Sequence, residues 1–293
     1  MTFGQLTTFL AVARTGSVRG AAADLVVTEP AVSAAVSALQ RELGVELVAR
    51  QGRGIVLTDA GETLARYAAE LLGIRDQALR ELHGTRTLRL AAVTTAGEYV
   101  VPPILKAFQG ERPDVGVSLE VGNRARVFER LLRREADLAI GGSPPAGSGI
   151  TGTPFLDYRL VVVAAADHRV EDPEAETWLL REQGSGTRAA VEGFLEEHGI
   201  RPRSTMTLGS NGAIKQAVAV GLGISLLSTH AAGAELANGT LRRVRVQGAP
   251  LRRSWYVLRR ETGRELPESA AFRAFCESRP AKAAVLAAIR PAA

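Results

Sequence analysis

Three stretches of the chain set hydroxyls and glycines where a helix would begin: Thr94-Thr95-Ala96-Gly97, Gly184-Ser185-Gly186-Thr187-Arg188 and Gly209-Ser210-Asn211-Gly212. Small residues and hydroxyls ahead of a helix leave unpaired N–H groups and the positive end of the helix dipole facing one place, which suits an anion. Each stretch joins an apolar strand-like run to a helical one, and in open α/β sheets such junctions line the ligand crevice. Arg188 adds a guanidinium able to grip a carboxylate or phosphate with two hydrogen bonds. Ordinary capping explains any one of these stretches alone; the three together predict an anion site. An enzyme in which Ser185 or Thr187 acts on that anion is the alternative. No His or carboxylate motif accompanies the Gly-Ser-Gly turn and no G-x-S-x-G is present, so no catalytic residue is assigned. The histidines at 83, 168, 198 and 230 lack metal-ligand spacing and read as surface groups, so neither a metal nor a cofactor is expected.

A second kind of chemistry resides between Ser17 and Leu57. Ala21, Leu25, Val32, Val36, Leu39 and Leu43 recur at helical spacing, broken once at Thr28-Glu29-Pro30. Two short helices meeting at a turn are predicted, the second capped by Thr28 and started by Pro30, whose missing N–H costs nothing there. That helix presents Thr28, Glu29, Ala31, Ser33, Ala34 and Ser37 outward, with Val32, Val36 and Leu39 inward. A slim helix with small polar residues at its start fits the major groove of double-stranded DNA. Ser17, Thr28, Glu29, Pro30, Ala31, Ser33 and Ser37 are therefore the candidate DNA-reading residues. Alternating apolar residues from Val45 to Leu57 around a Gly-rich tip predict a hairpin wing that brings Arg50 and Arg53 to the phosphates or into a minor groove.

The elements that position these residues follow in order. A helix over Thr2 to Thr15 closes the helix-turn-helix with Phe3, Leu6, Phe9, Leu10 and Val12. From Thr58 to about Leu82, Leu64, Tyr67, Leu71, Ile74 and Ala78 alternate at three-four spacing, a short coiled-coil seam that predicts a homodimer reading a pseudo-palindromic operator. Beyond a linker at His83-Gly84-Thr85, strands alternate with helices, which reads as α/β with parallel sheets. Leu160 to Ala165 and Ser254 to Arg260 fall where the chain would cross between two lobes and return. The expected division is a winged helix-turn-helix over 1–58, a dimerisation helix over 59–86, and a two-lobed domain over 87–293. Its first lobe would hold 87–161 and 262–293, its second 162–261.

Composition bounds the function. The 293 residues carry 36 basic against 31 acidic groups, yet residues 1–86 hold nine of each, so the DNA-reading part is neutral overall and only the placement of its arginines marks a face. The basic run Arg242, Arg243, Arg245, Arg252 and Arg253 reads as edge protection on a strand, with contact to another subunit or to the DNA backbone as the alternative. Cys276, the one cysteine, sits among Phe272 and Phe275 and reads as core. No apolar stretch reaches membrane-span length and the N-terminus carries no basic leader, so the expected location is cytoplasmic, and a transported-solute receptor is disfavoured.

The order AAxxL, TEPAVS, ALQRELG, a basic hairpin and LTDAG resembles the N-terminal domain of LysR-type transcriptional regulators, with Glu29 where the family usually carries Gln. TTAGEYVVP, LEVGN, GSGTR, LGSNGAIKQAVAVGLGISLLS and WYVLRR resemble the effector domain of the subgroup that includes Calvin-cycle-operon and sulfite-reductase-operon regulators. The resemblance spans essentially the whole chain. It implies periplasmic-binding-protein-like lobes whose cleft holds a small anionic effector. Matched by motif, the effector-binding residues are Thr94, Thr95, Asn123, Thr187, Arg188 and Asn211, with Phe155 as a wall. It also implies pairing of dimers into tetramers and makes RNA polymerase a candidate partner.

Overall fold

The computed structural model describes residues 1–52, 54–84 and 86–289, so Arg53 of the predicted wing lies outside the described residues. The chain divides into two compact units, Met1–Thr85 with Arg133–Glu135, and Arg86–Leu132 with Ala136–Ala293.

The first unit holds α1 (Phe3–Thr15), α2 (Val18–Leu25), α3 (Glu29–Leu43), the hairpin β1 (Val48–Gln51) and β2 (Gly54–Leu57), and α4 (Asp59–Leu82). Thr2 and Gln5 cap α1 reciprocally: Gln5 N donates to Thr2 Oγ1 at 3.2 Å and Thr2 N to Gln5 Oε1 at 2.7 Å. Ser17 and Thr28 cap α2 and α3 through their hydroxyls. Val12, Ala21, Val32 and Val36 bury where the first three helices cross, while Leu6, Phe9 and Leu39 pack with Leu47, Ala65 and Ala68 beneath the wing and α4. Two ties fix the wing. Gln40 Oε1 accepts from Leu47 N at 2.8 Å, and Ile55 N donates to Gly16 O at 2.8 Å. Gly61 is required by proximity, since a β-carbon there would lie 2.0 Å from the Leu47 carbonyl oxygen. On α4, Ala65, Ala68, Ala69 and Gly73 are buried, whereas Tyr67, Leu71, Ile74 and Ala78 of the predicted seam are exposed. Leu64, predicted to join that seam, instead packs against the unit's own core.

The second unit runs β3 (Thr87–Val93), α5 (Thr94–Tyr99), α6 (Val101–Glu111), β4 (Gly116–Gly122), α7 (Arg124–Leu132), β5 (Leu138–Gly141), β6 (Ile150–Ala165), β7 (Thr177–Arg181), α8 (Gly186–Glu197) and β8 (Ser204–Leu208). It continues with α9 (Asn211–Ala219), β9 (Ser225–Ser228), α10 (Gly233–Ala237), β10 (Leu241–Val244), β11 (Leu251–Arg260), α11 (Pro267–Glu277) and α12 (Arg279–Ile289). The expectation of parallel sheets holds in part: β3 runs parallel to β4 and β5, and β7 parallel to β8. The chain crosses between lobes on β6 and returns on β11, so these two strands lie antiparallel over ten residue pairs. They join one sheet of order β10-β6-β11-β5-β3-β4, with β9 against β6. Both crossing strands begin earlier than their apolar content suggests, because Asp157, Arg159, Arg252 and Arg253 are exposed strand residues.

Two apolar cores flank the crossing. Phe155, Leu156 and Val257 belong to a core with Phe108, Phe272, Phe275 and the buried Cys276; Leu160 and Val162 belong to another with Trp178 and Phe194. Tyr158 touches both. Among the described residues, no single helix is long and apolar enough to cross a membrane.

Candidate functional site

The N-terminal face of α3 is the first site. Thr28, Glu29, Pro30, Ala31, Ser33, Ala34 and Ser37 are exposed; Val32, Val36 and Leu39 are buried. The side chains able to reach a base edge are thus short, and the helix can approach closely. Ser17 is half-buried and occupied in capping, its Oγ accepting from Gly20 N at 3.0 Å. Arg50 is exposed on β1, and Arg14 is paired with Asp24.

The second site is a cavity of about 300 Å³ where the lobes meet. Thr94 and Thr95 enter it from α5, Asn123 and Arg124 from the start of α7, Tyr158 from β6, and Arg253 and Trp255 from β11. Arg181 ends β7 beside it, and Ser185, Gly186 and Thr187 open α8 onto it. Ser185 caps that helix, leaving the Gly186 and Thr187 amides without intrahelical partners, aimed as the dipole argument requires. Three arginines line the cavity, and no carboxylate does among the described residues.

Four of the seven residues assigned to the effector therefore share this cavity: Thr94, Thr95, Asn123 and Thr187. The other three do not line it. Phe155 is 4% exposed inside the first core, at the β-bulge where Trp255 and Tyr256 pair with Leu156 and Pro154 and Phe155 is the extra residue. Arg188 turns from the cavity into its own lobe: Nε donates to Glu192 at 2.7 Å, and Nη1 to the Arg181 carbonyl at 3.0 Å and to Thr207 Oγ1 at 3.2 Å. Asn211 is 1% exposed behind the cavity wall. Its Nδ2 donates to Thr95 Oγ1 at 3.0 Å and Glu98 Oε2 at 3.1 Å, and its Oδ1 accepts from Arg181 Nη1 at 2.8 Å. Of the three helix starts singled out in the sequence, two reach the cavity, and one of those belongs to the six-residue α5.

The sequence reading missed the cationic wall. Arg181 is buried and forked to Glu182 while it holds Asn211. Arg124 Nη2 donates to the Ser143 carbonyl at 3.1 Å, and its guanidinium lies 5.1 Å from the Phe128 ring centre. The floor is aromatic: Tyr158 stacks on Trp255 at 4.3 Å, and Trp255 Nε1 donates to His230 Nδ1 at 3.1 Å. Burial pushes the Tyr158 phenol up to about 12, against the pull of Arg253, so it remains a hydrogen-bond donor at neutral pH. His230, expected at the surface, is instead buried and pushed down to about 4, which keeps Nδ1 free to accept. Its position two residues after the buried Ser228 that ends β9 was the available signal.

These sites coincide with two known patterns. A family model described as the bacterial regulatory helix-turn-helix protein, lysR family, matches residues 3–62, and one described as the LysR substrate binding domain matches residues 83–281. The HTH-type transcriptional activator CmpR of Synechocystis is 39% identical over 270 residues, covering 88% of each chain. A RuBisCO operon transcriptional regulator of Allochromatium vinosum is 37% identical, covering 95% of this chain and 96% of the relative. The regulatory domain of CcmR from Synechocystis PCC6803, solved in complex with 2-PG, is 36% identical with a TM-score of 0.60, over 65% of this chain and 95% of that one. The chain belongs to the LysR family of bacterial transcriptional regulators, close to the regulators of RuBisCO operons.

Proposed function

We propose that α3 reads the major groove of a pseudo-palindromic operator and that a small anion, held between α5 and the start of α8, biases the lobes and thereby transcription. The observation that carries this reading is the cavity lining, with three arginines, free amides at the start of α8 and no carboxylate among the described residues. The anion resembles the 2-PG bound by the related CcmR domain. Within the cavity, Thr95 and Thr187 are the donors from opposite lobes, Asn123 and Thr94 complete the pocket, and Arg124, Arg181 and Arg253 supply charge. An anion bound between the lobes favours their closed arrangement, and only such a difference in affinity can shift the equilibrium.

The exposed stripe of Tyr67, Leu71, Ile74 and Ala78 supports homodimerisation along α4, since an unpartnered apolar seam at three-four spacing gains from pairing. Dimers pairing into a tetramer and touching RNA polymerase complete the proposal, as does the domain division at residues 58 and 86. DNA binding is tested by fluorescence anisotropy on promoter DNA. Arg50→Ala is expected to weaken binding to all sequences and to lower the salt slope by about 1, whereas Ser33→Leu abolishes discrimination between operator and random DNA. Unchanged binding in both variants across a salt series contradicts the reading.

A further inference from the structure

A second cavity, of about 680 Å³, borders the same crossing strands. It shares Gly142, Ser143, Tyr158 and Arg253 with the first and adds Asp157, Arg159, Arg252, Ser254 and Tyr256. Side chains alternate along a strand, so Arg159 leaves β6 on the face opposite Tyr158, and Arg252 leaves β11 opposite Arg253. The antiparallel register sets Arg159 directly across from Arg252. Like charges at directly opposed positions repel, and both side chains are exposed with no ion pair among the described residues. The one carboxylate in the groove, Asp157, faces Ser254 instead, accepting from its hydroxyl at 2.6 Å. Edge protection describes Arg242 and Arg243 on β10, whereas Arg159 and Arg252 lie on the stretch where β6 and β11 pair only with each other, β5 reaching only Tyr256–Leu258 of β11, and β9 and β10 only Leu160–Ala165 of β6.

We propose that this outer groove, which adjoins the cleft, is a second anion site in which Arg159 and Arg252 grip a phosphate-bearing small molecule. Two forked guanidiniums on neighbouring strands match the oxygens of one pyrophosphate, or of a phosphate with an adjacent carboxylate. The anion neutralises the repulsion that the register builds in. It also clamps β6 to β11, the strands that carry the chain between lobes, so its occupancy stiffens the crossing whether or not the cleft is filled.

The test is thermal unfolding of the full chain with and without millimolar inorganic pyrophosphate, at matched ionic strength in chloride. The wild type is expected to gain several degrees. Arg159→Gln/Arg252→Gln loses that gain, and without pyrophosphate it melts about 2 °C higher than the wild type at low salt, because the repulsion is gone. Arg159→Lys/Arg252→Lys, which keeps the charge and loses the fork, retains only a minor part of the gain. Gly186→Ala/Thr187→Val, altered in the cleft alone, retains most of it. No gain in the wild type, or a full gain in the Gln pair, overturns the proposal. A full gain in the Lys pair reduces it to charge screening and overturns the grip. A gain lost only in Gly186→Ala/Thr187→Val places pyrophosphate in the cleft, which overturns the outer site and leaves the cleft reading standing.

Discussion

The starts of α8 and α9 share a Gly-Ser pair, Gly-Ser-Gly-Thr-Arg against Gly-Ser-Asn-Gly-Ala, and do opposite things. Both are capped by a serine: Ser185 Oγ accepts from Arg188 N at 3.4 Å, Ser210 Oγ from Ala213 N at 3.0 Å. In α8 the next residues, Gly186 and Thr187, open onto the cavity, their amides without intrahelical partners. In α9 the next residue is Asn211, which fills the equivalent space with its own amide and spends every bond on protein, reaching Thr95 and Glu98 of α5 and Arg181 of β7. Lys215, one turn further on, lies 5.4 Å from the Tyr99 ring of α5 and 2.7 Å from Glu235. Burial lowers its pKa, but the hydrogen bonds to Glu235 and Tyr99 outweigh that and hold it charged. One helix start is open to the cavity; the other is occupied by a side chain of its own. A helix N-terminus is thus only a capacity, and the residue after the cap decides who uses it.

Substitutions at the two starts should separate these roles. The largest effect is expected for Asn211→Leu, which leaves Arg181 Nη1 and the α5 groups facing a methyl. Burying unsatisfied polar groups at this position should cost about 3 kcal/mol of unfolding free energy in urea titration. On α8, Gly186→Ala fits sterically, since its β-carbon meets nothing closer than Arg124 Cδ at 3.7 Å. Stability should change by less than about 0.5 kcal/mol, while affinity for 2-PG drops about tenfold, or about 1.4 kcal/mol, as the methyl stands where the anion approaches. Removing the caps sharpens the contrast: Ser185→Ala and Ser210→Ala should each cost about 1 kcal/mol of stability, but only the first should also weaken the anion. The smallest effect is expected for Arg188→Ala. Because its guanidinium is committed to Glu192, Thr207 and the Arg181 carbonyl, 2-PG affinity should stay within about threefold. A hundredfold loss there would mean that Arg188 swings into the cavity on binding.

The sequence carried the helix starts because their signals are local. Thr28-Glu29-Pro30, Ser185-Gly186 and Ser210-Asn211 each state a cap and a first turn within a few residues, and the outward face of α3 follows from period alone. The cationic wall was illegible because Arg124, Arg181 and Arg253 come from three elements whose approach depends on the antiparallel return of β11 beside β6. Arg253 looked like edge protection, since exposure on a crossing strand near a cleft has the same composition as exposure on an edge. Arg188 misled for a related reason: its motif places it at the cavity, but its rotamer, set by Glu192 one turn on, takes it elsewhere. On α4 the three-four period found the exposed seam but could not show that Leu64, near the start of the helix, is claimed by Leu6 and Leu47.

The most direct test of the account is thermal and urea unfolding of the wild type and of Gly186→Ala/Thr187→Val with 2-PG. At one hundred times its dissociation constant, a ligand that binds only the native state adds about 2.7 kcal/mol. The account predicts that gain in the wild type and its near disappearance in the variant, at unchanged stability without ligand. An equal gain in both proteins would place the anion somewhere other than the start of α8, and no gain in either would contradict the claim that the cleft binds an anion of this kind.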